Sequence, residues 1–176
     1  MTSTVPAPTR GFAAHLKEAT QADHTAAENS PFATELLAGR LPVEAYVDLL
    51  LQSHALYEAL ETAVAGHRHH PELQPFLHPG LDRLPSLEAD LAFLAGPAWR
   101  DRLGPLPATA RYVARLREVG DGWPAGLVAH HYLRYLGDLS GGQIIRRIVG
   151  RTYGLGDDGV RFYVFADLGA RHLPPS

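Results

Sequence analysis

Apolar residues recur three or four positions apart along most of this chain, which is the spacing of amphipathic helices. Proline and glycine divide the pattern into separate elements. The predicted helices run from after Thr9 to about Asn29, from Ser30-Pro31 to Gly39, from Pro42 to about Gly66, from Ser86 to near Gly96, from Thr109 to Val119 with Gly120 as the stop, and from Pro124 onwards. Residues 66–85 form a proline-punctuated connection, and residues 160–165 alternate like a short strand. The pattern predicts an all-α domain whose helices share one interior.

The last predicted helix contains three glycines, Gly137, Gly141 and Gly142, within otherwise helical spacing. Each glycine inside a helix costs about 1 kcal/mol relative to alanine. A helix face without side chains lets a flat, bulky group lie against the backbone and lets the helix bend. One carboxylate, Asp138, stands inside this bare stretch. We interpret the glycines and Asp138 together as the best indication of a functional site.

Composition argues against a nucleic-acid-binding, a disulfide-bonded or a membrane-spanning protein. A chain of 176 residues suits one domain, and a formal net charge of −3 gives no basic face for nucleic acid. The absence of cysteine excludes disulfides and thiolate ligands. The sequence contains no apolar run of about 20 residues that would span a bilayer, and residues 1–9 lack a secretory signal and are predicted to be a disordered lead-in. We therefore expect a cytoplasmic protein without a membrane or nucleic-acid partner.

The first predicted helix carries a polar stripe formed by Lys17, Gln21, His24 and Glu28. Two interpretations of this stripe remain open. It is the solvated side of the helix, or His24 is a ligand whose Nδ1 hydrogen is accepted by Glu28 one turn later, leaving Nε2 to bind a metal. Lys17 lies two turns before His24, about 10 Å along the axis, a distance that suits a carboxylate at the rim of a bound group.

One planar group of haem size explains these features together. His24 would bind the iron, the bare helix would form the opposite wall, and Lys17 would pair with a propionate. Haem held by a single histidine keeps its sixth position open for dioxygen. Asp138 would hold ordered water beside that position and supply protons. The residues placed to orient such a network are Tyr57, Tyr112 and Arg134.

The chain resembles the haem oxygenase family over nearly its whole length. The run Leu-Gly-Asp-Leu-Ser-Gly-Gly-Gln at residues 136–143 is similar to the distal-helix signature of that family, and residues 17–29 are similar to its proximal helix. Between them, residues 90–93, 96–97, 111–113 and 127–130 follow in family order. The resemblance implies a single-domain bundle over residues 10–176, with haem between a proximal helix and a kinked distal helix.

The resemblance also implies an enzyme that opens the haem ring. Haem b would be both cofactor and substrate, and dioxygen and electrons would convert it to biliverdin, carbon monoxide and ferrous iron. His24 would be the iron ligand, with Glu28 as its hydrogen-bond partner. Gly137 and Gly141 would pack on the distal face of the haem, and Asp138 would organise the proton-delivering waters. The supporting network would be Tyr57, Tyr112 and Arg134, and the residues near the propionates would be Lys17 and Tyr132.

Two departures from the family affect these expectations. Gln21 stands where many relatives have a second lysine, so the propionate contacts would differ. The chain ends at Ser176, before a further helix whose basic residues hold propionates and help select the meso carbon in relatives, so the resemblance does not predict which meso carbon is opened. Arg171 would be either a remnant of that helix or an unrelated residue.

An external reductant is expected, either ferredoxin, flavodoxin or an NADPH-linked reductase, because no flavin or nicotinamide fingerprint is present. The protein is expected to be a monomer. The alternatives are a haem carrier or sensor without turnover, and a haem-free enzyme on the same fold such as a thiaminase-like protein.

Overall fold

The computed structural model describes residues 12–102 and 104–165, with the side chains of residues 12–17 left outside the description. Lys17 and Arg171 therefore give no side-chain contacts to compare with expectation. The helices are α1 (Phe12–Glu28), α2 (Pro31–Leu37), α3 (Val43–Gly66), α4 (Leu84–Ala95), α5 (Pro107–Gly122), α6 (Leu127–Ser140) and α7 (Gly142–Tyr153). Short 3₁₀ turns lie at Gln74–Phe76, Pro79–Leu81, Trp99–Asp101, Pro124–Gly126 and Arg161–Tyr163. The described residues contain no β-strand, which confirms the all-α fold class.

The chain divides into two compact units, Met1–Arg40 and Leu41–Ser176. In the first unit, α1 is followed by α2, whose start matches the sequence signal. Ser30 is the N-cap, because its Oγ accepts the Ala33 N–H at 3.3 Å, and Pro31 occupies the first turn where its missing N–H costs nothing. No helix in the described part of the chain is long and apolar enough to cross a lipid bilayer.

The second unit is organised around α3, which packs against α4, α5 and α6. Side chains three, four or seven positions apart on α3 are completely or almost completely buried: Tyr46, Leu50, Tyr57 and Leu60. Equally buried side chains on the other elements complete the core: Leu87, Leu91, Leu116, Leu127, Val149 and Phe162. Each contributes about 1.5–3 kcal/mol through removal of its apolar surface from water. The core therefore determines which face of each helix is buried and which face is available to bind a ligand.

The segment Gly159–Phe165 is held against this core by side chains, and we refer to it as the clamped segment. Asp90, fully buried on α4, accepts the backbone N–H groups of Arg161 at 3.0 Å and Phe162 at 2.8 Å. The buried Arg83 guanidinium donates to the carbonyl oxygens of Phe162 at 3.3 Å and Val164 at 2.7 Å. The prediction of a strand at residues 160–165 was wrong, since these contacts and the 3₁₀ turn satisfy the backbone without a neighbouring strand.

Two helix boundaries also differ from prediction. Helix α4 begins at Leu84 after Arg83, so Ser86 lies inside the first turn and is not the N-cap. Helix α5 continues past Gly120 to Gly122. A Cβ on Gly120 would lie 3.3 Å from Cβ of Ala63, so this glycine permits a close approach of α5 to α3 and does not end the helix.

Replacement of Asp90 by alanine is expected to lower the free energy of unfolding by about 2–4 kcal/mol, because the buried N–H of Phe162 and the partly buried N–H of Arg161 lose their acceptor. Urea denaturation followed by circular dichroism measures this change. Asp48→Ala is the matched control, since Asp48 is exposed on α3. Equal effects of the two substitutions would show that the clamped segment does not depend on Asp90.

Candidate active site

The glycine-rich stretch predicted to lie inside one long helix instead separates two helices. Helix α6 ends at Ser140, and Gly141 caps it by donating its N–H to the Gly137 carbonyl at 2.8 Å. Helix α7 then begins at Gly142. Gly141 keeps right-handed helical dihedral angles, with φ −67° and ψ −35°, so the chain does not reverse direction between the two helices.

The three glycines face different surroundings. A Cβ on Gly137 would meet nothing within 4 Å, and Gly141 is exposed like Gly137. Gly142 is buried, and a Cβ there would lie 2.7 Å from Cδ1 of Tyr163. Gly137 and Gly141 therefore expose bare backbone, whereas Gly142 makes room for an interior side chain.

The exposed face of α6 and the start of α7 combine bare backbone with apolar side chains. Leu133 is 63% exposed and Ile144 is 50% exposed, and Gly137 and Gly141 lie between them at helical spacing. We refer to Leu133, Gly137, Gly141 and Ile144 as the bare stripe. Tyr132, which is 48% exposed, lies next to Leu133 on α6. Large exposed apolar residues grouped on one face are typical of a surface that a ligand or partner covers.

Asp138 follows Gly137 in the chain but turns toward the interior. It accepts a short hydrogen bond at Oδ2 from the hydroxyl of Tyr57, a completely buried residue of α3. Burial raises the pKa of the Asp138 carboxyl, while the charge of Arg134 and the Tyr57 hydrogen bond oppose that rise. The carboxyl group is thus desolvated but held by a donor and a cation.

Arg134 lies one turn before Asp138 on α6, and its guanidinium carbon is 5.5 Å from the centroid of the Tyr57 ring. Burial by itself lowers the pKa of Arg134, but the nearby Asp138 and Tyr57 outweigh it and raise that pKa overall. Its buried Nε has no hydrogen-bond partner among the described residues. A buried polar atom without a protein partner marks a position for ordered water.

Tyr112 and Arg134 also interact electrostatically, but the Tyr112 hydroxyl has its own partner. It lies 3.0 Å from Nδ1 of His130, which stands one turn before Arg134 on α6. Burial, followed by the charge of Arg115, lowers the pKa of His130. His130 was not among the predicted site residues, although its four-residue spacing from Arg134 was a usable signal.

A second buried polar cluster, also missed by sequence reasoning, adjoins Tyr57. The Tyr135 ring packs edge-on against the Tyr57 ring at 5.3 Å, and the Tyr135 hydroxyl donates to Oε1 of Glu61 at 3.3 Å. Glu61 also accepts the Arg83 N–H at 2.6 Å, and burial raises the pKa of Glu61. The position of Glu61 four residues after Tyr57 on α3 was the only local sign of this cluster.

In the first unit, the expected contact on α1 is present. Nδ1 of His24 lies 3.3 Å from Oε2 of Glu28, and both side chains are about two thirds exposed. This pairing engages Nδ1, so Nε2 is the ring nitrogen that is available to a metal. Gln21 donates to the Thr25 hydroxyl at 3.2 Å. The described residues contain no cluster of three or more side chains of the types that hold a metal ion.

The different surroundings of the glycines predict opposite effects of alanine on stability. Gly137→Ala is expected to raise the free energy of unfolding by up to about 1 kcal/mol, because alanine favours the helix and the space is open. Gly142→Ala is expected to lower it by about 1–3 kcal/mol, because the methyl group would overlap the Tyr163 ring. Urea denaturation of both variants measures the difference, and effects of the same sign would contradict this distinction.

Comparison with known proteins places this geometry in a family. The family model described as "Heme oxygenase" matches residues 10–173. Heme oxygenase 1 of Synechocystis sp. is 41% identical over 157 residues, covering 89% of this chain and 65% of the relative. Heme oxygenase 1 of Bos taurus is 40% identical over 156 residues, covering 87% of this chain and 54% of the relative. The chain thus spans between about half and two thirds of the length of these two relatives.

Solved structures agree with the sequence comparisons. The structure of heme oxygenase-1 from the cyanobacterium Synechocystis sp. PCC6803 in complex with heme matches with a TM-score of 0.82 and 41% identity, covering 89% of this chain and 71% of that one. Heme oxygenase from Leptospira interrogans matches with a TM-score of 0.79 and 35% identity, covering 88% and 76%. Sequence, fold and the glycine-bared helix lead to one conclusion: this chain belongs to the haem oxygenase family.

Proposed function

We propose that the chain binds haem b and opens its ring at a meso carbon, using dioxygen and electrons to produce biliverdin, carbon monoxide and ferrous iron. The observation that carries this proposal is the position of Asp138. Its carboxyl group is partly buried between the Tyr57 hydroxyl and Arg134, directly beside the exposed bare backbone of Gly137. A surface that only stores a ligand has no need of a desolvated acid next to it.

His24 and the bare stripe have the chemistry that haem binding requires. His24 is exposed, and its pairing with Glu28 through Nδ1 leaves Nε2 for iron. The bare stripe offers apolar side chains and backbone without Cβ atoms, which suits close contact with a flat macrocycle. We infer that the stripe lies against one face of the haem. Bound haem supplies the iron that reacts with dioxygen and the ring that is cleaved.

The protein side chains would hold and transfer the protons that the reaction consumes. Tyr57 holds the Asp138 carboxyl in one orientation, and Arg134 offers its unpaired Nε to a water molecule. The raised pKa of Asp138 brings the carboxyl closer to the pH at which it both accepts and releases a proton, which is what general acid–base catalysis requires. We infer that Asp138 passes protons to the distal side through ordered water, with Tyr112 supporting the network.

Further parts of the proposal rest on the family alone. Lys17 and Tyr132 would contact the propionates. Electrons would come from a cytoplasmic donor, either ferredoxin, flavodoxin or an NADPH-linked reductase, and the enzyme would act as a monomer. A haem carrier or sensor remains the competing function, and turnover separates the two.

Haem added under anaerobic conditions is expected to give a histidine-ligated absorption spectrum. Subsequent air and reductant are expected to yield biliverdin and carbon monoxide, measured by chromatography and gas analysis. His24→Ala should lose the histidine-ligated spectrum, whereas His69→Ala, a change in the exposed loop after α3, should keep it. Haem that binds but stays intact would favour the carrier, and no haem binding at all would refute both functions.

The bare stripe predicts that a single methyl group weakens haem binding. Gly137→Ala is expected to raise the dissociation constant for haem about tenfold or more, even though the same change stabilises the fold, because the added Cβ keeps the ring from the backbone. Gly66→Ala is the matched control, since Gly66 also lies in a helix with open space around it. Unchanged haem affinity in Gly137→Ala would mean that the stripe does not contact the ring.

A further inference from the structure

Phe162, in the clamped segment, packs against the side chain that donates a hydrogen bond to Asp138. The residue is only 1% exposed. Its ring meets the Tyr57 ring edge-on, with centroids 5.4 Å apart and ring planes at 74° to each other. Edge-to-face contact is a preferred arrangement of aromatic pairs, because the positive edge of one ring meets the negative face of the other. The hydroxyl of the same Tyr57 side chain donates to Asp138.

A second ring, that of Tyr135, also packs edge-on against Tyr57, with centroids 5.3 Å apart and ring planes at 70°. Tyr135 lies three residues before Asp138, so the same helix α6 carries this ring and the carboxyl group that accepts the hydrogen bond. Phe162 belongs to a different element, the 3₁₀ turn of the clamped segment. Of the two edge-on rings, Phe162 is therefore the one that holds Tyr57 from outside α6.

The backbone of Phe162 is fixed at both of its polar groups. Its N–H donates to Oδ2 of the fully buried Asp90 at 2.8 Å, and its carbonyl oxygen accepts from the Arg83 guanidinium at 3.3 Å. A displacement of Phe162 would leave buried polar groups unpaired, which is costly. The ring is therefore presented to Tyr57 from a fixed support at the start of α4.

The orientation of Tyr57 decides whether its hydroxyl reaches the carboxyl group. The hydroxyl lies at the far end of the side chain, so a small rotation at the base of the ring displaces it, and hydrogen bonds weaken steeply when their geometry is poor. A smaller side chain in place of Phe162 would leave space beside the Tyr57 ring, because a packed interior relaxes only partially around a deletion. That space would allow Tyr57 to turn away from Asp138.

We propose that Phe162 is a positioning residue of the active site, whose ring holds Tyr57 in the orientation in which its hydroxyl meets the Asp138 carboxyl. Phe162 acts through Tyr57. This inference deepens the proposed function and rests on it for any effect on catalysis, whereas the ring contacts and hydrogen bonds that it uses are present without haem. It gives the Asp90 anchor of the clamped segment a role in the active site in addition to its role in stability.

The test is the pKa of the Asp138 carboxyl in the full haem-free chain, measured by carbon-13 NMR. The Tyr57 hydrogen bond favours the ionised carboxylate, so Tyr57→Phe should raise this pKa by about one unit. Phe162→Leu keeps an apolar side chain but removes the ring, and should raise the pKa in the same direction by a smaller amount. Phe165→Leu is the matched control, because it makes the same change in the same segment, where the Phe165 ring packs against Arg83 at 4.1 Å, and it should leave the pKa unchanged.

A double-mutant cycle separates positioning from a general loss of packing. In the Tyr57→Phe background, Phe162→Leu should cause no further shift of the Asp138 pKa, because no hydroxyl remains to be misplaced. Additive shifts would overturn the inference, as would an unchanged pKa in Phe162→Leu or an equal shift in Phe165→Leu. If Phe162→Leu does not fold, Phe162→Met, with a flexible apolar side chain, takes its place under the same criteria. Because every readout uses haem-free protein, failure of this inference is distinguishable from failure to degrade haem.

Discussion

The hydrogen bond from the Tyr57 hydroxyl to the Asp138 carboxyl joins the surface helix α6 to α3, the central helix of the larger unit. A buried carboxylate is costly unless it is paired and hydrogen-bonded. Arg134, one turn away, and Tyr57 together offset that cost. The orientation of α6 follows from this contact, since any rotation that exposed Asp138 would also bury the bare stripe. One interaction thus sets both the inner and the outer face of the helix.

The three glycines also differ between the inner and the outer face. Gly137 and Gly141 are exposed on the outer face, with open space around Gly137, whereas Gly142 is buried against Tyr163 on the inner face. The outer pair exposes bare backbone, which we propose a flat ligand approaches, and the inner glycine makes room for the ring of Tyr163. A single glycine-rich motif therefore meets two steric demands. This explains why Asp138, between them in sequence, approaches the ligand surface without pointing into it.

Contacts one helical turn apart were predictable from the sequence, as the His24–Glu28 pair shows. Helix positions followed from apolar spacing. Tyr57 was expected to support the network around Asp138, but its hydrogen bond to that carboxyl joins residues 81 positions apart and follows from no local pattern. The clamped segment was mistaken for a strand, because a 3₁₀ turn whose aromatic side chains are buried also alternates in polarity. Its anchors, Asp90 and Arg83, are 71 to 81 residues away in the chain, so no local pattern identifies them.

We propose that Asp138 determines the outcome of the reaction after haem has bound. The most direct measurement is the yield of biliverdin per haem in Asp138→Asn, which keeps the size of the side chain but removes its ability to exchange a proton. The Asp138→Asn variant is expected to bind haem with an unchanged histidine-ligated spectrum and to form little or no biliverdin. A normal biliverdin yield would contradict it, since proton delivery would then not depend on this carboxyl group.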